Sequence, residues 1–444
     1  MTGPRKNKMP VAPDLVKAGT AALFARAVVI IAGFGSSLLL PLVIDQESVG
    51  LYFLTQLLIA GFAIIAQMGL TYSVPATVTA AIAENKVGQA RRLSYAALAI
   101  SSAVGASLGI VLLIAAPYLV VLLEVDHDRA WRIILPFVLA IAPFSALTAL
   151  IVEVLRALHA IKPAANLAAL ASVFAALYAG WALLTGKEGS LEGVLSAVLA
   201  GSIICVVLGL VLLNKIISGW PTQSSEDVTL RSLIHTTLPN LLTTLILFGL
   251  SNLDLIVLAR LGRLEDIAQY GLALRFSALI LVPLGILNSA AAPLAVQARS
   301  TADNVTIENL LARVAIGGAV AAASFYVCFA IVGYAFIATW NGAYQSSYWL
   351  TLILGFGNVL HACGGTAGIL LMIWGDQRAA FLITLATGLF AAILYIGGFW
   401  FGGMFGLAAA AAFANATQVA CFVYRVRRRF ALDPSLLRRS LSHL

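Results

Sequence analysis

Charged side chains are scarce in this 444-residue chain: Asp, Glu, Lys and Arg make up 10% of it, against 61% hydrophobic residues. A soluble domain carries about 25% charged residues, so 27 basic and 19 acidic side chains cannot supply a polar surface here, and a water-soluble globular protein is excluded. The solvent is lipid. Cysteine is also rare. Cys205, Cys328, Cys363 and Cys421 each sit alone in an apolar run, with no pair at disulfide or metal-ligand spacing, and read as small packing residues. The five histidines, His127, His159, His235, His361 and His443, are scattered. No glycine-rich phosphate loop follows a strand pattern, so the sequence calls for no metal, no cofactor and no nucleotide-driven pump. The loops of the side poorer in Lys and Arg are short, and none combines carboxylates, histidines and nucleophiles at catalytic spacing. An enzyme is disfavoured.

What the chain has is long apolar runs. About 20 residues at 1.5 Å each cross a hydrocarbon core of about 30 Å. Ten runs free of Lys, Arg, Asp and Glu qualify: Ala27–Ile44, Val49–Ala83, Leu93–Leu123, Ile133–Val152, Pro163–Gly186, Gly193–Asn214, Ser232–Leu253, Phe276–Ala298, Val314–Gly375 and Ala379–Tyr424. The last two are double length. Asn341, Gly342, Tyr344, Gln345, Ser346 and Ser347 mark a turn in one, and Gly397, Gly398, Gly402 and Gly403, beside Phe399 and Trp400, divide the other. The expectation is twelve transmembrane helices. The polar, basic stretch Met1–Lys17 before the first run reads as the flank of an uncleaved first span.

With an inward N-terminus, 20 of the 27 Lys and Arg fall on the inner loops and termini and five on the outer loops, while Arg26 and Arg275 lie in or beside spans. That bias places both termini in the cytoplasm and makes the net charge of +8 topological, with no nucleic-acid partner implied. The cluster of Arg425, Arg427, Arg428, Arg429, Arg438 and Arg439 reads as a membrane-lipid headgroup anchor.

Sliding the sequence on itself by 218 residues aligns Glu47 with Glu265, Tyr52 with Tyr270, Pro75 with Pro293 and Trp131 with Trp349. Six spans per repeat keep both halves in one orientation, related by a pseudo-two-fold axis along the membrane normal. The expected fold is an all-α integral membrane protein of two six-helix bundles, residues 1–217 and 231–430, joined by a polar cytoplasmic linker at 218–230 and followed by a cytoplasmic tail at 431–444. Prolines inside spans, Pro75, Pro136, Pro143, Pro239, Pro283 and Pro293, are expected to bend or break helices, some of them beside the transport path.

Charge placed in the membrane costs about 2.5–3.5 kcal/mol on insertion scales and calls for a role. Arg26, Asp254 and Arg275 qualify. Arg26 either faces a cavity or snorkels to the headgroups. Asp254 and Arg275 either form a structural ion pair or act separately, Asp254 then being the candidate for ion coupling. If Arg26 and Arg275 face a shared space, they make an electropositive chamber suited to phosphate. Glu153 and Arg156, three apart, read as a local helix pair. Polar residues in spans, among them Gln56, Gln67, Tyr72, Asn240, Asn252, Asn288, Asn358, His361, Asn415 and Gln418, either line the path for sugar hydroxyls or bind helices together.

Two stretches carry a family resemblance. The first runs from Leu40-Pro41-Leu42 through Val49-Gly50-Leu51-Tyr52 to Gly69-Leu70, with Ala83-Glu84 after it. The second runs from Leu238-Pro239 through Asn252-Leu253-Asp254, Tyr270-Gly271-Leu272-Ala273 and Arg275 to Pro283-Leu284-Gly285 and Ala292-Pro293. With these the chain resembles the polysaccharide-type flippases of the multidrug/oligosaccharidyl-lipid/polysaccharide exporter superfamily. The resemblance implies alternating-access flipping of a polyprenyl-pyrophosphate-linked oligosaccharide for cell-surface polysaccharide (O-antigen, capsule or exopolysaccharide) in a bacterial inner membrane, alongside other polysaccharide-assembly membrane proteins. Arg275 matches an eighth-span arginine of the similar lipid II flippases, and Arg26 lies where those carry a first-span arginine. The alternatives are a cation-coupled multidrug exporter of the same superfamily, which Asp254 keeps open, and a membrane glycan polymerase or ligase.

Overall fold

The computed structural model describes residues 32–123, 133–158, 160–221, 230–300, 304–340 and 342–436. Arg26, Trp131, most of the 218–230 linker and the end of the tail lie outside them. Among the described residues every regular element is a helix. In chain order these are α1 (Ala32–Leu42), α2 (Gln46–Gln67), α3 (Leu70–Ala83), α4 (Val87–Leu123), α5 (Leu135–Ala157), α6 (Ile161–Thr185), α7 (Leu191–Ile217), α8 (Leu230–Ser251), α9 (Leu253–Leu261), α10 (Leu264–Ser300), α11 (Asn304–Ala338), α12 (Gln345–Cys363), α13 (Ala367–Ile373) and α14 (Gln377–Phe430). Eight helices among the described residues are long and apolar enough to cross a membrane, or ten if each bent pair counts as one span. This is a multi-pass membrane protein.

Helix starts follow from local chemistry. Asp45 precedes α2 and accepts from the Ser48 amide at 3.0 Å and the Ser48 hydroxyl at 2.6 Å. Ser190 takes the Gly193 amide at the head of α7. Such caps satisfy N–H groups that the first turn leaves open. The 54-residue α14 would be about 80 Å long if straight, more than twice the hydrocarbon core, so it must turn back. It does so at Gly402 and Gly403, the latter at φ 56°, where an L-residue with a side chain is strained. The two limbs then pack so closely that a Cβ on Gly398 or Gly406 would overlap the other's backbone. The turn anticipated at 341–347 likewise separates α11 from α12.

Two expectations need correction. The apolar runs Ser232–Leu253 and Phe276–Ala298 understate their helices, because a run free of charge stops at Asp254 and resumes after Arg275 while the backbone stays helical. The α8–α9 pair continues to Leu261 with a 58° bend, and α10 begins at Leu264. The helix breaks also fall elsewhere than at the prolines. Pro75 and Pro143 sit inside α3 and α5. The chain breaks instead at Met68–Gly69 (φ 48° and 72°), at Asn252, and at Gly364–Thr366, where α12 and α13 meet at 51°.

The helices pack as two groups. Helices α2 to α7 contact one another, as do α8 to α14, and α2 meets α8 and α10 across the seam. Call the side bearing most of the Lys and Arg, where α3 and α7 end and α8 and α14 begin, the basic face. Near the opposite face one continuous buried core spans both groups, joining Leu51, Phe53, Ile141 and Leu195 to Leu258, Tyr270, Leu350 and Leu407. Toward the basic face the cores separate: one holds Leu70, Leu93, Leu150 and Leu213 of the first group, and others hold Leu311, Leu370 and Val426, or Leu284 and Ala362, of the second.

Candidate functional site

The seam is built from residues small enough to let backbones touch. Close approach of this kind drives helix association in lipid, where burial against a neighbour gains no hydrophobic energy. A Cβ on Gly50 of α2 would overlap the Leu264 carbonyl oxygen of α10, and a Cβ on Gly271 would overlap the Phe53 ring. Gln46 donates to the Glu265 carbonyl at 3.3 Å. These pairs, 46 with 265, 50 with 264 and 53 with 271, keep α2 and α10 running the same way side by side. On the other flank Phe34 of α1 meets Phe276 edge to face at 5.4 Å. Nearer the basic face, Gly69 packs on the backbone of Thr237 and Leu241 in α8, and Asn240 donates to the Ser73 hydroxyl at 3.0 Å.

Arg275 lies on this seam. It is four residues beyond Gly271, hence on the face of α10 that meets α2, and its guanidinium sits 5.9 Å from the centroid of the Phe53 ring. Tyr52 is the neighbouring polar group on α2, with Gln56 one turn along the same helix and in contact with its hydroxyl. Arg275 is exposed and makes no ion pair with any described residue. A cation held over the Phe53 ring, with no hydrogen bond or ion pair to a described residue, has donors free to take a phosphate-like anion.

The ion pair between Asp254 and Arg275 does not form. Asp254 is 7% exposed, in the first turn of α9, where the helix dipole favours a negative charge. Its carboxylate accepts from the Tyr270 hydroxyl at 3.0 Å and from the Leu255 amide at 2.9 Å. It lines a cavity of about 250 Å³ inside the second group, with Asn358, Thr387, Tyr395 and Asn415 on the facing walls. Asp254 and Arg275 therefore serve two separate spaces. In the sequence Tyr270 stands out as a repeat marker and as part of the resemblance, not as a partner of Asp254, and Tyr395 does not stand out. Nothing in their spacing from Asp254 gives them away, because the bend at Asn252 creates the contact.

The remaining polar candidates divide. Asn252 turns its side-chain amide onto the Phe248 carbonyl at 2.9 Å, which also accepts the Asn252 backbone N–H at 3.1 Å. Asn288 and His361 line a separate pocket of about 80 Å³ beside Gly364 and Gly365. His361 reaches Asn415 at 2.8 Å. Gln56 stays on the seam near Arg275, and Asn240 lies on it nearer the basic face. Glu153 and Arg156 pair at the end of α5. Close by, a cavity of about 540 Å³ inside the first group is lined by Gln67, Thr71, Ser145, Glu153 and Ser202. Among the described residues no three His, Cys, Asp or Glu side chains gather to hold a metal.

No family model matches the sequence, and no curated protein matches it. Solved structures do match in shape. An inward-facing multidrug resistance MATE family transporter of the MOP superfamily superposes with a TM-score of 0.68 at 16% identity, over 96% of both chains. The lipid II flippase MurJ in an inward closed conformation gives 0.66 at 15% identity, over 94% of this chain and 87% of that one. A Vibrio cholerae MATE transporter gives 0.62 at 18% identity, over 94% and 97%. The chain thus has the fold of the MOP-superfamily transporters, shared by the MATE proteins and the lipid II flippase.

Proposed function

We propose that the protein flips a polyprenyl-pyrophosphate-linked oligosaccharide from the inner to the outer leaflet of a bacterial inner membrane, for synthesis of a cell-surface polysaccharide. The observation that carries this reading is Arg275, an unpaired guanidinium on the face where the two helix groups meet. Moving such a lipid means carrying a charged diphosphate and many hydroxyls through hydrocarbon, where each unsatisfied polar group costs several kcal/mol. The tail stays in the bilayer, so only the headgroup needs a polar path. Arg275 binds the diphosphate through paired N–H donors, Arg26 is the expected second cation, and Gln56 meets the first sugar hydroxyls.

In this reading the fold is twelve spans in two six-helix bundles, 1–217 and 231–430, with both termini and the 218–230 linker in the cytoplasm. The two limbs of α14 supply the last two passes, and the parallel run of α2 beside α10 supports the pseudo-two-fold axis. The basic face is then cytoplasmic. A core shared by both groups near the opposite face and divided toward the basic face supports a state closed outward and opening inward, ready to receive an inner-leaflet lipid. Rocking the groups about the seam reverses the access. The neighbour whose name specifies a lipid-linked cargo, the lipid II flippase, supports that cargo class here.

A second reading is export of cationic compounds, and Asp254 favours it: a buried carboxylate on a cavity wall with no Lys or Arg among the described residues lining that cavity. Under flippase function the same group is the ion-coupling candidate. The experiment that separates the two is deletion of the gene followed by complementation. Loss of surface polysaccharide restored by the wild type but not by Arg275→Ala supports the flippase. Sensitivity to cationic dyes with surface polysaccharide unchanged supports the exporter.

A further inference from the structure

His361 ends the last turns of α12, just before the break, and its ring is held by a chain of amides whose polarity can be read from one end. The Ser277 carbonyl of α10 can only accept, so the Asn358 side chain that reaches it at 2.8 Å does so with its NH2 group and turns its oxygen the other way. That oxygen receives the Asn415 amide at 3.0 Å, so the Asn415 oxygen faces His361 at 2.8 Å. An oxygen there requires a donor, and Nδ1 of His361 therefore carries a hydrogen. The neutral ring then holds its lone pair on Nε2, and His361 lines the pocket of about 80 Å³ lined also by Asn288.

Asn288 presents the complementary defect. Its side-chain oxygen is buried and accepts no hydrogen bond. Two acceptor-bearing side chains, His361 and Asn288, thus border one pocket large enough for water, since one molecule needs about 10–15 Å³ of such space. A neutral water or a turned Asn288 amide can supply a donor here, and so can a proton on Nε2, which alone of the three puts charge on the ring. We propose that His361 is a proton-binding site, whose protonated Nε2 donates to Asn288 Oδ1 directly or through water and so ties α10 to α12 beside the α12–α13 break.

The surroundings leave the proton to this pair. The elements meeting at the pocket bring Val419 and Phe422 from α14, Gly364 to Gly368 from the break, and Ala315 of α11 against Gly365. None is charged. Arg313 of α11 is exposed, and Pro434, beyond α14, covers Gly365 with its carbonyl while Asp433 pairs with Arg427. On α14 Arg425 is committed to Asp376. Other titratable groups on these elements are the Cys363 and Cys421 thiols, and beyond Asn415, on the wall of the larger cavity, lie Asp254 and Tyr395. Because the amide chain reaches that cavity, a change in the His361 bond is felt at Asn358 and Asn415, which face Asp254. The inference does not depend on the cargo.

The test is nitrogen NMR on the full chain in lipid nanodiscs with labelled histidine. His361→Asn preserves a donor toward Asn415 and identifies the His361 signal by difference. A chain with His127, His159, His235 and His443 replaced by Gln provides the same signal alone if that variant fails to fold. The expected result is a neutral ring with hydrogen on Nδ1 at about pH 9, converting to the doubly protonated ring on acidification. In Asn288→Leu the proton should be held about tenfold less tightly. A ring that stays in one form from about pH 9 to about pH 4.5, or that binds its proton equally tightly in Asn288→Leu, overturns the proposal.

Discussion

Tyr270 of α10 donates its hydroxyl to the Asp254 carboxylate at 3.0 Å, in the first turn of α9 just past the 58° bend from α8. This bond turns the acidic group into the second helix group, away from Arg275 on the seam. It is also the internal tie that keeps a carboxylate in a site where only 7% of the residue is exposed. Removing the donor with Tyr270→Phe leaves a buried carboxylate oxygen short of a partner, a loss of roughly 1–3 kcal/mol. The thermal midpoint of the purified protein should fall accordingly. Asp254→Asn combined with Tyr270→Phe should cost less than the two single changes summed, because the pair is one interaction. Strict additivity would mean that the bond contributes nothing.

Gly50 sets how closely α2 and α10 approach. Gly50→Val forces a side chain into the Leu264 backbone, an overpacking cost of roughly 1–3 kcal/mol borne by the closed seam. The population should shift toward separation at the face opposite the basic one. A cysteine placed at Gln46, which in the wild type touches the Glu265 carbonyl, should react faster with a membrane-impermeant thiol reagent in the Gly50→Val background. An unchanged rate would mean that the seam does not open there.

Two ion pairs outside the spans fasten the end of α14 at the basic face. The hydrogen bond from Arg425 to Asp376, at 2.7 Å, holds that carboxyl below its ordinary range. Burial pushes the Asp433 carboxyl up, but Arg427 at 2.6 Å and the hydrogen bonds from Ser435 outweigh it and keep the group low. Groups held low contribute stability that is fully present above the ordinary carboxylate value of about 4 and is lost as pH falls through the depressed value. Proteolysis of the segment after Phe430 should therefore quicken below about pH 4. In Asp376→Asn with Asp433→Asn it should be fast at neutral pH and respond little to acid.

The apolar runs foretold most of the helices and both hairpin turns, since runs of about 20 residues leave a membrane chain few choices. They did not locate the breaks. Met68–Gly69, Asn252 and Gly364–Thr366 bend the chain, while the more conspicuous Pro75 and Pro143 stay inside continuous helices. A break is stabilised by distant partners, such as the Thr237 backbone against Gly69 or the Leu436 amide on the Cys363 carbonyl at 2.8 Å, and pattern along the chain does not register these. Arg275 draws attention in the sequence because a charge in lipid demands a role. Its separation from Asp254 does not show there, because the bend at Asn252 decides where that carboxylate points.

The flippase reading also fixes what a conservative change should do. Arg275→Lys keeps the charge but loses the paired donor geometry, and is expected to retain part of the activity. Arg275→Ala forgoes charge-assisted hydrogen bonds of about 1.5–3 kcal/mol each, a roughly ten- to hundredfold loss. Equal activity of the Lys and Ala variants would count against a bound anion.

The most direct measurement reconstitutes the purified protein in liposomes with a fluorescent polyprenyl-pyrophosphate-linked oligosaccharide and follows its arrival in the opposite leaflet. Wild type should move it, Arg275→Ala should be slower by at least about tenfold with the protein still folded, and added soluble pyrophosphate should compete. Undiminished flipping by Arg275→Ala would contradict the assignment of the seam guanidinium as the headgroup site.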